Sequence, residues 1–149
     1  MRNLTMLMDY YELTMSNGYF EKGFKDKMVV FDMFYRKNPD NGGFVVSAGL
    51  EQLIEYIENM HFSKEDIEFL RGKGEFSEGF LQYLADFKFT GNIDALPEGT
   101  ICYPNTPIVT VTAPVIEAQL IETMLLLTMN FQSLIATNCL LYTSPSPRD

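Results

Sequence analysis

The stretch from Val115 to Ile135 constrains this chain most, because it is too apolar for a surface helix and too polar for a bilayer. Leu, Ile and Met dominate it and no Gly or Pro interrupts it, so one long helix is predicted. Glu117, Gln119, Glu122, Asn130 and Gln132 make membrane insertion expensive, which leaves a helix buried in protein. Gln119, Glu122, Asn130, Ser133 and Thr137 follow steps of three and four once the apolar Leu126 fills the gap. They draw a polar stripe, mostly amides and hydroxyls, down an otherwise apolar rod. Two readings suit it: burial against another polar element, a subunit neighbour or a site, or hydrogen bonds that only fix helix packing.

Upstream, a first helix is predicted from about Tyr10 to Phe20, stopping near Gly23. Asp9 and Glu12 have the form of a reciprocal N-cap. Leu7, Met8, Tyr11, Met15 and Tyr19 recur at helical spacing and predict its apolar face. Met28 to Tyr35 reads as a strand buried on both faces. The turn-rich Asn38-Pro39-Asp40-Asn41-Gly42-Gly43 should return Phe44 to Ser47 against it as a hairpin. Gly49 to Met60 is helical, with Leu50, Leu53, Ile54 and Ile57 on one face. Ser63 to Asp66 reads as a capped helix start, and that helix ends at Gly72. Glu78 to Phe87 carries Phe80, Leu81 and Leu84 inward. Short strands then follow over Lys88 to Ala95, Ile101 to Tyr103 and Ile108 to Thr112.

A chain of 149 residues, 46% hydrophobic, can bury one real core. Its net charge of −9 argues against nucleic acid and against an anionic membrane surface as partners. Cys102 and Cys139 cannot build a disulfide framework. Asp9 and Glu12 interrupt any apolar leader, so a cytoplasmic location is expected.

The first turn of the first helix is the most suggestive place for a ligand. Free N–H groups and the positive dipole end favour an anion there, and Tyr10 and Tyr11 offer flat aromatic faces. A small aromatic acid would suit both, though local grounds alone favour two tyrosines anchoring the helix in a core. Elsewhere the chemistry is sparse. His61 is the only histidine, in a helix-end setting that suits capping or the surface. Arg71-Gly72-Lys73-Gly74 reads as a helix terminus rather than a phosphate loop. No catalytic residue and no metal ligand set is expected.

Six pieces follow one another in a fixed order: Phe34 to Pro39; Gly42-Gly43-Phe44; Ala48-Gly49-Leu50; Phe89-Thr90-Gly91; Leu96-Pro97-Glu98-Gly99; and Gln119-Leu120-Ile121-Glu122-Thr123 through Asn130 to Thr137, with Asp9 and Leu13-Thr14-Met15 upstream around Tyr11. At these intervals the set resembles the amino-terminal region of the nicotinate phosphoribosyltransferase family, from about Leu4 to Asn138. The resemblance implies an α+β fold, the amino-terminal domain of a type II phosphoribosyltransferase with the following α/β barrel domain missing. Residues 1–114 would form that domain and 115–138 the start of a long core helix leading to the barrel. It implies a parent enzyme joining nicotinate to phosphoribosyl pyrophosphate, giving nicotinate mononucleotide in NAD salvage, with ATP and Mg2+ used through a transient phosphohistidine. The chain itself is expected to bind no cofactor and to be inactive.

Residue by residue, the resemblance assigns Tyr11 as a substrate-binding residue, a nicotinate contact that completes the site of a homodimer partner. His61 does not match the phosphohistidine position. Arg36 suits an internal ion pair better than a site role, since it flanks a predicted buried strand. The alternatives are another type II phosphoribosyltransferase, acting on nicotinamide or quinolinate, and a noncatalytic small binding module. Residues 139–149, Cys139 to Asp149, break the family pattern and lack the arginine that should follow Asn138. They read like a translated sequencing adapter and are expected to be a non-native tail.

Overall fold

The computed structural model describes residues 3–39 and 42–143. In chain order it holds α1 (Tyr10–Glu21), β1 (Met28–Met33), β2 (Val45–Val46), α2 (Leu50–Asn59), α3 (Lys64–Lys73) and α4 (Glu78–Ala85). There follow β3 (Asn92–Ala95), β4 (Ile101–Cys102), β5 (Val109–Pro114), α5 (Val115–Leu120) and α6 (Glu122–Thr143). The architecture is α+β, as the sequence implied.

Two small antiparallel sheets organise it, one in the order β1-β5-β3 and one of β2 with β4. On β5, Val109, Val111 and Ala113 turn inward and alternate with threonines, the period-two pattern of a strand with one buried face. Helix α4 delivers Phe80, Leu81 and Leu84 to the core, as expected, and α2 delivers Leu53, Tyr56 and Ile57. Ser63 and Asp66 form a complete capping box at α3, and Gly74 closes that helix in the left-handed region. Arg71 pairs with Glu68 and Glu78, so the Arg71–Gly74 segment is the helix terminus it was read to be.

Four expectations are corrected. The strand from Phe44 does not form a hairpin with β1: Val45 and Val46 pair with Cys102 and Ile101, while β1 pairs with β5. Local turn chemistry announces a reversal but not the partner, which long-range packing selects. Of that turn, Asp40 and Asn41 lie outside the described residues. Second, β1 is an edge strand, not one buried on both faces, and Val30 stands 62% exposed. Third, Ile54 of α2 is exposed, and Tyr56 takes its place inward.

Fourth, the long helix is broken at Ile121 and only half covered. All of α5 is buried, whereas Leu127, Phe131 and Ile135 of α6 are exposed. Over Glu122–Tyr142 the helix is long and apolar enough to cross a membrane, by length and composition. The covered side of α6 is nevertheless bonded to the domain. Ser133 Oγ accepts from the Ala48 N–H (3.0 Å) and Thr137 Oγ1 from the Val46 N–H (2.9 Å). The Tyr35 hydroxyl donates to the Met129 carbonyl (3.2 Å). The helix runs past Asn138 to Thr143, and Ser144 to Asp149 lie outside the described residues.

Candidate functional site

Helix α1 turns only part of its predicted apolar face to the core, against which Met8 and Tyr19 pack. Its buried residues are Glu12, Leu13 and Ser16, while Leu7, Tyr11 and Met15 face outward at 53%, 44% and 42% exposure. The polar side is held in by bonds, which outweigh the apolar spacing. Asp9 does not cap α1 with its side chain. Its N–H instead donates to Thr123 Oγ1 (3.2 Å). Glu12 Oε1 accepts from the Thr123 N–H (3.0 Å) and from its hydroxyl (2.5 Å).

Those bonds also explain the break between α5 and α6. In an unbroken helix the Thr123 N–H would seek the carbonyl of Gln119, four residues earlier. The carboxyl of Glu12 takes it instead, and a side chain entering the ladder is a recognised cause of a kink. The same carboxyl sits at the N-terminus of α6, where orphan donors and the helix dipole favour it. Burial pushes Glu12 up to about 7, against the lowering effect of its Thr123 bonds, while Glu122 and Asp9 raise it further. Its second oxygen, like the hydroxyls of Ser16 and Tyr56, is buried without a hydrogen-bond partner among the described residues.

The two neighbouring tyrosines part company. Tyr10 donates to Glu75 Oε2 (2.6 Å) and meets the Phe76 ring edge-on at 6.0 Å, so it fastens α1 to the turn before α4. Tyr11 leans toward Glu122, and partial burial together with that carboxylate pushes its phenol up to about 12. Gln119 Nε2 donates to Glu122 Oε2 (2.8 Å). Gln119 and Glu122 also line a groove of about 510 Å³ between β1 and the α5–α6 junction, whose other walls include Phe31, Met33, Val111 and Leu126. The charged groups acting on Tyr11 are the carboxylates of Glu122, Glu12 and Asp9, and no side chain caps the first turn of α1.

The remaining predicted positions lie elsewhere. His61 is exposed, with Nδ1 2.8 Å from the Asn59 carbonyl oxygen. Arg36 is exposed too and has no ion-pair partner among the described residues. Tyr35, beside it, bonds α6 at Met129, whereas Tyr11 stands at the start of α6, about 10 Å away along the helix axis. Thr123 was missed as a partner. In the single long helix predicted from Val115 it lay mid-helix, and no local signal marked it.

Residues 6–130 match the family model described as the nicotinate phosphoribosyltransferase N-terminal domain. The chain belongs to the nicotinate phosphoribosyltransferase family. Nicotinate phosphoribosyltransferases of Mycobacterium tuberculosis and Bacillus subtilis are each 41% identical to it, over 89% and 91% of this chain and 28% of their own lengths. The crystal structure of human nicotinic acid phosphoribosyltransferase superposes with a TM-score of 0.86 at 30% identity, covering 95% of this chain and 30% of that one. The chain thus spans under a third of these relatives. A nicotinate-nucleotide pyrophosphorylase from Pyrococcus furiosus shares the fold alone, at 20% identity and a TM-score of 0.61.

Three of the pieces that carried the resemblance to nicotinate phosphoribosyltransferases meet at one structural junction. Glu98 Oε1 accepts from the Gly49 N–H (2.8 Å), Gly99 N–H donates to the Ser47 carbonyl (2.8 Å), and Ser133 holds Ala48. Thr90 donates through its N–H and hydroxyl to the buried carboxylate of Glu117. The Tyr11 piece is different: it ends in an outward-facing aromatic.

Proposed function

We propose that this chain supplies the nicotinate-contacting face of a nicotinate phosphoribosyltransferase, with Tyr11 meeting the pyridine ring at a site completed by a second subunit. One observation carries the reading: the apolar stripe of Leu7, Tyr11 and Met15 points out of the fold, on a helix whose other side is fastened. A buried anchor would point the other way. An exposed ring on a rigid mount binds and orients without moving protons. With Asp9, Glu12 and Glu122 nearby, the carboxylate of nicotinate needs a cation from outside this cluster.

The whole enzyme would form a bond from the pyridine nitrogen to C1 of phosphoribosyl pyrophosphate as pyrophosphate leaves. Among the described residues no three His, Cys, Asp or Glu side chains are grouped so as to hold an ion, and His61 lies against backbone at a helix end. In this reading ATP and the metal are bound by the part of the enzyme beyond the region matched here, in a cytoplasmic homodimer.

The test is kinetic. In the full-length enzyme from this gene, Tyr11→Ala should raise the nicotinate KM roughly 3- to 10-fold, while Tyr11→Phe stays within about twofold because the ring face survives. The 149-residue chain alone should form no nicotinate mononucleotide. An unchanged KM in a folded Tyr11→Ala enzyme would refute the assignment.

A further inference from the structure

We propose that Thr123 and Glu12 are positioning residues for Tyr11, forming a clasp in which one hydroxyl fixes the chain on both sides of that ring. The inference rests on the reading of Tyr11 as the pyridine contact. Its geometry comes from three bonds to a single residue. Thr123 Oγ1 accepts from the Asp9 N–H at 3.2 Å and donates to Glu12 Oε1 at 2.5 Å, and the Thr123 N–H reaches the same oxygen at 3.0 Å. Asp9 and Glu12 bracket Tyr10 and Tyr11, so the backbone carrying the ring is tied on each flank to the first turn of α6.

The arrangement is more than ordinary helix packing. Glu12 is fully buried, and its bond lies where the α5–α6 ladder is broken. The Asp9 side chain leaves its usual capping role while its N–H turns to Thr123. Meanwhile Tyr11 keeps its face in solvent. A clamped backbone beneath an exposed ring is the arrangement that preorganises a contact, since less freedom remains to be lost when a ligand arrives. Glu122, next in sequence to Thr123, approaches the Tyr11 phenol, so α6 controls both the base of the ring and its tip.

The experiment uses the 149-residue chain with 3-fluorotyrosine at position 11 only, read by 19F NMR. Thr123→Val removes the hydroxyl and keeps the shape, and should displace or broaden the resonance beyond its parent linewidth. Thr123→Ser should restore it. Thr137→Val, which removes a hydroxyl bond farther along α6, should leave it in place. Asp9→Pro is the second probe: at a φ of −70° that proline accepts, it deletes the N–H donated to Thr123 together with the Asp9 carboxylate, so it is compared with Asp9→Asn, which removes the charge and keeps the N–H, and should move the signal further. The proposal fails if folded Thr123→Val gives the parent resonance, if Asp9→Pro moves it no further than Asp9→Asn, or if Thr137→Val moves it as far as Thr123→Val. Nicotinate takes no part in this readout, so the clasp and the nicotinate assignment stand or fall separately.

Discussion

A carboxyl taken out of water and left with one unpartnered oxygen makes folding depend on pH, and Glu12 is such a group. Its folded value is raised from the ordinary 4.5 to about 7, with burial the main cause. The folded state therefore holds this proton more tightly than the unfolded chain does. Stability from Glu12 is fully present below about pH 4.5 and is lost as pH rises through about 7. The loss amounts to at most about 3 kcal/mol. Glu12→Gln keeps an acceptor for Thr123 and cannot ionise. Urea denaturation across pH 5 to 8 should show the parent losing stability with rising pH more steeply than the variant. Parallel profiles would show that the carboxyl is not held as described.

At the level of elements, the α2 start and the covered side of α6 meet so closely that one position must be glycine. Gly49 has φ +104°, and a Cβ there would lie 2.9 Å from the Thr128 carbonyl oxygen and 3.1 Å from Gln132 Cβ. Gly49→Ala should cost about 1–3 kcal/mol in urea denaturation, combining backbone strain with a displaced helix. Ser133→Ala should cost about 1–2 kcal/mol by stripping the Ala48 N–H of its acceptor. The polar stripe of the last helix thus divides by position. Ser133 and Thr137 serve packing, whereas Gln119 and Glu122 face the groove near Tyr11. The packing reading of the stripe holds at Ser133 and Thr137, Asn130 is exposed, and the reading as a site rests on the proposed role of Tyr11.

Over the described residues, apolar surface is left uncovered along α1 and along α6 with β1, besides single side chains such as Phe69 and Tyr103. Phe131 is 61% exposed, and Leu127 lies one helical turn from it. Burying such a side chain is worth about 1.5–3 kcal/mol, so surfaces of this kind promote association. The purified chain should show concentration-dependent association in sedimentation velocity. Replacing Leu127 and Phe131 together with lysine should shift it toward monomer without lowering Tm. If the double variant associates as strongly as its parent, the α6 face is not the cause.

The sequence by itself determined the elements whose signals are local. The Ser63–Asp66 box and Gly74 bound α3, the Phe80-Leu81 and Leu84 pattern sets the inward side of α4, and alternating Val and Thr make β5. Ordered short motifs were enough to indicate the family. Tertiary structure decided what depends on a partner far along the chain. β2 pairs with β4 and not with its sequence neighbour, because register answers to long-range burial. Helix α1 turns Tyr11 and Met15 outward because Glu12 finds better donors at Thr123, 111 residues away, than water or its own first turn provides. No window on the sequence spans that distance, and the exposure of Tyr11 follows from it.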